Sequence, residues 1–321
     1  MSRAAGTAFG LALTSAAMFG SSGSFATSLL DAGWSTGAAV TVRVCLAALL
    51  LLPLTLLALR GRSAQLRRAA GSTAAFGLIA VAGCQLAFFN AVAHLSVAVA
   101  LLLEYSGTLL VVAWLWFRRG HRPRRMTLGG SVLSLGGLAL VLDLTGGGRV
   151  DAIGVGWALL AAVGLAVYFV VSSHDEDALP AVAVAGVGLG IGAVVLVLSA
   201  VSGVLPFEAP RGDVELLEQG VSWVVPVTGL GLVAGALAYA SGIAGARRLG
   251  AKVASFVGLT EVLFAVALAW LLLGESLAAV QVLGGLLVVA GIAMVRVDEG
   301  RGPGQVDPPV PELPATGCVR R

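Results

Sequence analysis

The sequence predicts an all-α integral membrane protein, with ten transmembrane helices arranged as two inverted five-helix repeats. Three observations carry that reading. Of 321 residues, 58% are hydrophobic and 12% charged, against about 25% charged in soluble domains, and the mean hydropathy is +0.97. The apolar residues fall in runs of about 20, the length that crosses a hydrocarbon core of about 30 Å. A pattern of Leu-Gly-Gly, five residues and Gly closes two of these runs, at 128–136 and at 283–291, an offset of 155.

The elements follow in order. The first run, 7–30, comes after Met1-Ser2-Arg3. A signal peptide is the competing reading of that start, but the run is longer than an h-region of 7–15 residues. Runs at 36–59, 72–90, 96–117 and 126–143 complete a first repeat, 7–143. Runs at 152–172, 181–204, 222–243, 253–273 and 279–296 make a second repeat, 152–296. Because five spans is an odd number, the second repeat enters the membrane upside down, a plan that places substrate near the midplane between halves. Glycines at these spacings also let helices approach closely, so packing alone explains them. It does not explain buried charges. Residues 297–321 are rich in Pro and Gly and read as a disordered cytoplasmic tail.

The loops set the orientation. With the N-terminus cytoplasmic, 17 of the 20 Lys and Arg residues lie inside and only Arg149 and Arg211 lie outside, as the positive-inside rule requires. The acidic loop 172–180 runs against this, but acidic residues count for little in the rule. Trp34, Trp157, Trp223 and Trp270 fall near the outer boundary and Trp114 and Trp116 near the inner one, as an interfacial belt would. The expected location is therefore the cell (plasma) membrane, multi-pass, with both termini cytoplasmic.

A basic loop, Arg247 to Lys252, leads into "LTEVLFAVALAWLLLGE" at 259–275. Together with the doubled five-helix unit and the Leu-Gly-Gly endings, this stretch resembles the EamA family of the drug/metabolite transporter superfamily. The similarity covers residues 7–296. The family commonly has a proline after the acidic residue; Val262 stands there in this chain, and Gly107 at the counterpart in the first half. The resemblance implies ten helices, both termini inside, and export or exchange of small metabolites. "ALLLEYSG" at 100–107 looks like the subgroup that includes threonine and homoserine exporters.

Three charges fall within spans: Arg43, Glu104 and Glu261. Each costs about 2.5–3.5 kcal/mol at the bilayer centre on insertion scales, so each is expected to face a partner or an aqueous cavity. Arg43 lies about 10 Å in from the outer face at 1.5 Å per residue, and Glu104 and Gln85 lie at a similar depth. These three are expected to cluster, either as a substrate-binding group or as a fixed ion pair between helices. Glu261 mirrors Glu104's depth from the inner face, and the seventh span offers no basic partner. It could carry a proton in transport, or hydrogen-bond to a neighbouring helix as a packing feature. Tyr105 and Tyr239 are further cavity candidates, with Tyr168, although each could simply pack. The serine run at 20–24 could wall a cavity or seat a close helix contact.

Other functions find little support. No P-loop is present, and "GVGLGIG" at 186–192 lacks the strand–turn–helix setting of a phosphate loop. Intramembrane hydrolysis needs a serine–base pair, paired aspartates or a metal. His94, His121 and His174 all fall in loops or at span ends. No enzyme activity, cofactor, metal or nucleic-acid partner is expected. The expected function is secondary transport of a small zwitterionic or amphipathic solute such as an amino acid, with proton coupling. A non-transporting membrane scaffold or sensor is the alternative.

Overall fold

The computed structural model describes residues 3–95, 97–119, 123–142, 151–173, 179–216, 219–273 and 278–300. The expected tail from 301 onward, His121, His174, Arg149 and most of the acidic loop at 172–180 lie outside the described residues.

The first expected span holds two helices, α1 (Arg3–Gly20) and α2 (Ser22–Asp31). They part at Ser21, within the glycine and serine run, where the Ser21 hydroxyl donates to the Met18 carbonyl at 2.7 Å. Helix α3 (Thr36–Leu59) starts on Ser35, whose hydroxyl accepts from the Ala38 N–H at 3.2 Å. Short helices α4 (Ser63–Arg68) and α5 (Ala70–Ala75) lead into a π-helical stretch, Phe76–Gly83, which runs on as α6 (Cys84–Val92). The fourth span is divided at Ser106 into α7 (Val97–Tyr105) and α8 (Gly107–Arg119), and α9 (Arg125–Val141) follows.

The second half begins with α10 (Ala152–Ser172), capped by Asp151 accepting from the Ile153 N–H at 3.0 Å. After α11 (Ala181–Val201) the chain forms an antiparallel hairpin, β1 (Asp213–Leu216) and β2 (Gln219–Ser222), where the sequence predicts a plain loop. Helix α12 (Val224–Thr228), a second π-helical stretch (Gly229–Leu237) and α13 (Ala238–Gly258) are continuous. Helices α14 (Thr260–Leu273) and α15 (Ala279–Gly300) complete the fold.

Among the described residues, seven helices are long and apolar enough to cross a membrane: Thr36–Leu59, Ala70–Val92, Val99–Arg118, Ala152–Ser172, Ala181–Val201, Val224–Gly258 and Ala279–Glu299. The first, fifth and ninth expected spans are not among them. The first is interrupted at Ser21, α9 has 17 residues, and the ninth is shared between the end of α13 and α14. Within the stretch 244–252, where the sequence places a loop, two helical parts of α13 meet across a kink at Gly250, which has φ 77° and ψ 159°. That region of backbone space is open essentially only to glycine.

Helix α3 packs on α11, α9 on α15, α1 on α13 and α14, and α10 on the first π-helical stretch, α6, α7 and α8. Leu54, Leu198 and Leu286 stay exposed on the outer surfaces of α3, α11 and α15, as apolar faces turned to lipid must. The α9–α15 contact is a glycine seam. A Cβ on Gly137 would lie 2.6 Å from the Gly284 carbonyl oxygen, and one on Gly130 would lie 2.8 Å from that of Gly291. Each glycine admits the facing backbone, as in other small-residue membrane contacts. Gly136, a member of the sequence pattern, faces nothing within 4 Å. The paired positions 130 and 284, and 137 and 291, are 154 apart, one residue less than the pattern's offset.

Two further expectations change. Trp34 is covered by protein instead of facing outward: it is 5% exposed, donates its indole N–H to the Pro210 carbonyl at 2.9 Å, and packs near Trp223 and Val214 beneath the hairpin. The expected tail begins as helix, because α15 continues through residues 297–300. Asp298 is buried there against the Thr127 hydroxyl, with Lys252 at 3.8 Å and Arg124 at 4.0 Å. A carboxylate with that many donors holds the helix end in place.

Candidate functional site

One cavity of about 230 Å³ opens between the helices, and all six residues expected from the sequence line it: Arg43, Gln85, Glu104, Tyr105, Tyr239 and Glu261. Their placement has a common cause. Cys84 and Gln85 are the first residues after the Phe76–Gly83 π-helical stretch, and Tyr239 is the second after Gly229–Leu237. Glu104 and Tyr105 close α7 just before the break at Ser106, and Glu261 is the second residue of α14, just past Leu259. Broken and π-helical turns disturb the backbone ladder and commonly mark functional sites, and in transporters discontinuous helices line the binding cavity.

The charged residues do not pair as their depths suggest. The Arg43 Nη2 donates to the carbonyl of Ala234, at 2.8 Å, inside the second π-helical stretch. Its guanidinium also lies over the Phe19 ring, 5.5 Å from the centroid. Among the described residues, no ion pair joins Arg43 to Glu104. The carboxyl that Arg43's charge reaches is Glu261, with the Tyr105 phenol beside it. Glu104 instead accepts from the Cys84 thiol at 3.3 Å, a weak donor. The Arg43 Nε–H is buried and has no hydrogen-bond partner. The expected cluster of Arg43, Gln85 and Glu104 is therefore one cavity wall without a closed ion pair.

Four side chains that sequence reasoning missed or ranked low complete the site. Ser15 donates to the Ala238 carbonyl at 2.8 Å on one wall. Phe19 stacks edge-on with Tyr239 at 5.1 Å, and Tyr168 with Tyr239 at 5.8 Å, so the three rings form one aromatic surface. Cys84, set in an apolar run, carries no sequence mark of its role. His94 lies apart from the cavity and pairs with Asp151 at 2.9 Å, and Asn90 donates to the Leu86 carbonyl at 2.7 Å. Of the serine run, Ser22 reaches the cavity.

The model of the EamA-like transporter family matches this chain twice, over residues 7–143 and 152–297. A solved structure described only as "Crystal structure of protein" has a similar fold, with a TM-score of 0.74 at 20% identity over 92% of this chain and 98% of that one. At that identity the likeness is one of fold alone. No curated protein matches the chain.

Proposed function

Because the chain belongs to the EamA-like transporter family of the drug/metabolite transporter superfamily, we propose that it is a secondary transporter of a small zwitterionic metabolite, such as an amino acid. The route is the cavity at Arg43, Glu104 and Glu261. The observation that carries this is the shortage of partners there. Arg43 keeps a buried N–H without an acceptor, and Glu104 has a thiol for its donor. Buried polar groups left short of partners are costly, and a solute with one carboxylate and one ammonium would supply both. The carboxylate goes to Arg43 and the ammonium to Glu104. At about 230 Å³ the cavity is smaller than the 300–1,000 Å³ typical of drug-sized ligands, which favours a metabolite.

The proposed architecture is ten spans in two inverted halves within the cell membrane, with both termini cytoplasmic. The α9–α15 seam supports it through contacts that recur at an offset of 154. The π-helical stretches starting at Phe76 and Gly229 recur at 153, as do the breaks at Ser106 and Leu259. The packing of α1 on α13 and α14, echoed by α10 on α6 to α8, adds to this. Glu261, beside Tyr105 and within reach of Arg43's charge, is assigned the coupled proton in export or exchange.

The test is counterflow in liposomes carrying the purified full-length protein, with a panel of labelled amino acids and related zwitterions. At least one should exchange faster than in protein-free liposomes, and Arg43→Gln should abolish that exchange. If folded protein exchanges none of them, the zwitterion assignment fails and the scaffold or sensor reading gains.

A further inference from the structure

The basic face of the molecule carries a cluster of charges outside the cavity. Asp298, near the end of α15, is 5% exposed and accepts from the Thr127 hydroxyl on α9. Lys252, on α13, reaches Asp298 at 3.8 Å and also pairs with Glu299. Arg124, just ahead of α9, approaches Asp298 at 4.0 Å. Arg296 lies over the Phe9 ring of α1, 4.0 Å from the centroid. Four elements are thus tied at one end: α1, α9, α13 and α15.

This cluster lies close along the chain to the lining of the cavity. Lys252 is two residues from Ala254, which lines the cavity, and two from Gly250, the bend of α13. Beside it, α1 and α13 meet closely: a Cβ on Gly245 would lie 2.9 Å from the Ala12 backbone nitrogen, and Ala12 also lines the cavity. The far end of the α9–α15 pair is held differently. There Gln281 donates from Nε2 to the Val141 carbonyl at 3.3 Å. Gln281 is 154 residues from Thr127, the seam's own offset, so the two ends are comparable positions with different chemistry. One end has a buried carboxylate ringed by cations, and the other a neutral amide contact.

We propose that Asp298, Lys252, Arg124 and Thr127 form a gate that keeps the cavity shut toward the basic face, with Gly250 as the hinge on which α13 swings when it opens. The proposal rests on the transporter reading for its purpose, but not for its test. Breaking a buried pair from one side leaves an uncompensated charge, so losing either partner favours the arrangement in which the other reaches water.

The experiment is cysteine accessibility in sealed vesicles of both orientations, without substrate. A full-length chain with Cys45, Cys84 and Cys318 replaced carries one new cysteine, Ala254→Cys, and is probed with a membrane-impermeant maleimide. From the basic face this cysteine should react slowly. Asp298→Asn or Lys252→Gln should speed labelling from that face by about tenfold, the shift that 1.4 kcal/mol produces. Asp298→Glu, which keeps the charge, should stay near the parent rate. Size-exclusion profiles separate a folded variant from a collapsed one, and Lys252→Gln keeps the test open should Asp298→Asn fail to fold. Fast labelling in the parent, or no change in a folded Asp298→Asn, would overturn the gate. Neither result bears on whether zwitterions are carried.

Discussion

At the residue scale, Arg43 and Glu104 line one cavity without forming the ion pair that their matching depth suggests. Arg43 donates to Ala234 and lies over Phe19, while Glu104 takes its hydrogen bond from Cys84. Groups that are not partners should behave independently. Arg43→Ala combined with Glu104→Ala is therefore expected to lower thermal stability by the sum of the single effects, within about 0.5 kcal/mol. A coupling well beyond that in detergent melts would mean the two are paired. Glu261→Gln keeps the shape and the hydrogen-bonding capacity but cannot release a proton. It should abolish pH-gradient-driven uptake in liposomes while sparing exchange of substrate for substrate, and gradient-driven uptake at the parent rate would remove Glu261 from coupling. The six candidate residues were legible because a charge, an amide or a phenol in an apolar run has few inexpensive reasons to be there. Their partners were not: a carbonyl released in a π-helical turn and a thiol in an apolar segment leave no trace in composition. Ser15 and Phe19 look like ordinary residues of α1 until Ala238 and Tyr239 are brought against them.

At the element scale, the glycines separate into those that seat a neighbour and those that do not. Gly137→Ala would press a methyl to within 2.6 Å of the Gly284 carbonyl oxygen, whereas Gly136 faces open space. The first is expected to lose about 1–3 kcal/mol by overpacking, and Gly136→Ala to be close to neutral. The reverse ranking in unfolding measurements would restore the alignment at 155. Gly250→Ala should cost about 1–3 kcal/mol, since its backbone conformation admits little but glycine. The apolar runs were readable because lipid requires about 20 residues per crossing. The positions of interruption were only partly readable. Gly20, Ser21 and Gly23 announce a weak helix, but nothing in Phe76–Gly83 distinguishes a π-helical turn from an α-helical one. Residues 297–300 looked like tail because Pro and Gly follow them, and Asp298's partners lie on other helices.

At the scale of the whole molecule, the bias of basic residues makes a prediction about sides. In a cysteine-free chain, Arg62→Cys should react only with reagent applied from the cytoplasm, and Asp213→Cys, on β1, only from outside. Labelling of position 62 from outside would invert the assignment. Loop charge is a local property that a sequence displays, but the hold of Pro206 and Pro210, ahead of the hairpin, on Ser35 and Trp34 joins residues more than 170 positions apart. The seam carries a consequence of another kind. Gly130 meets Gly291 as Gly137 meets Gly284, a reciprocal contact between two antiparallel helices. A surface of that sort needs no covalent tether between its two sides. Each of the two matched repeats gives one helix to this seam, so the two meet there as separate subunits would. A gene cut between Leu142 and Asp151 should yield two polypeptides that find each other in the bilayer, and a tag on one fragment should retrieve both.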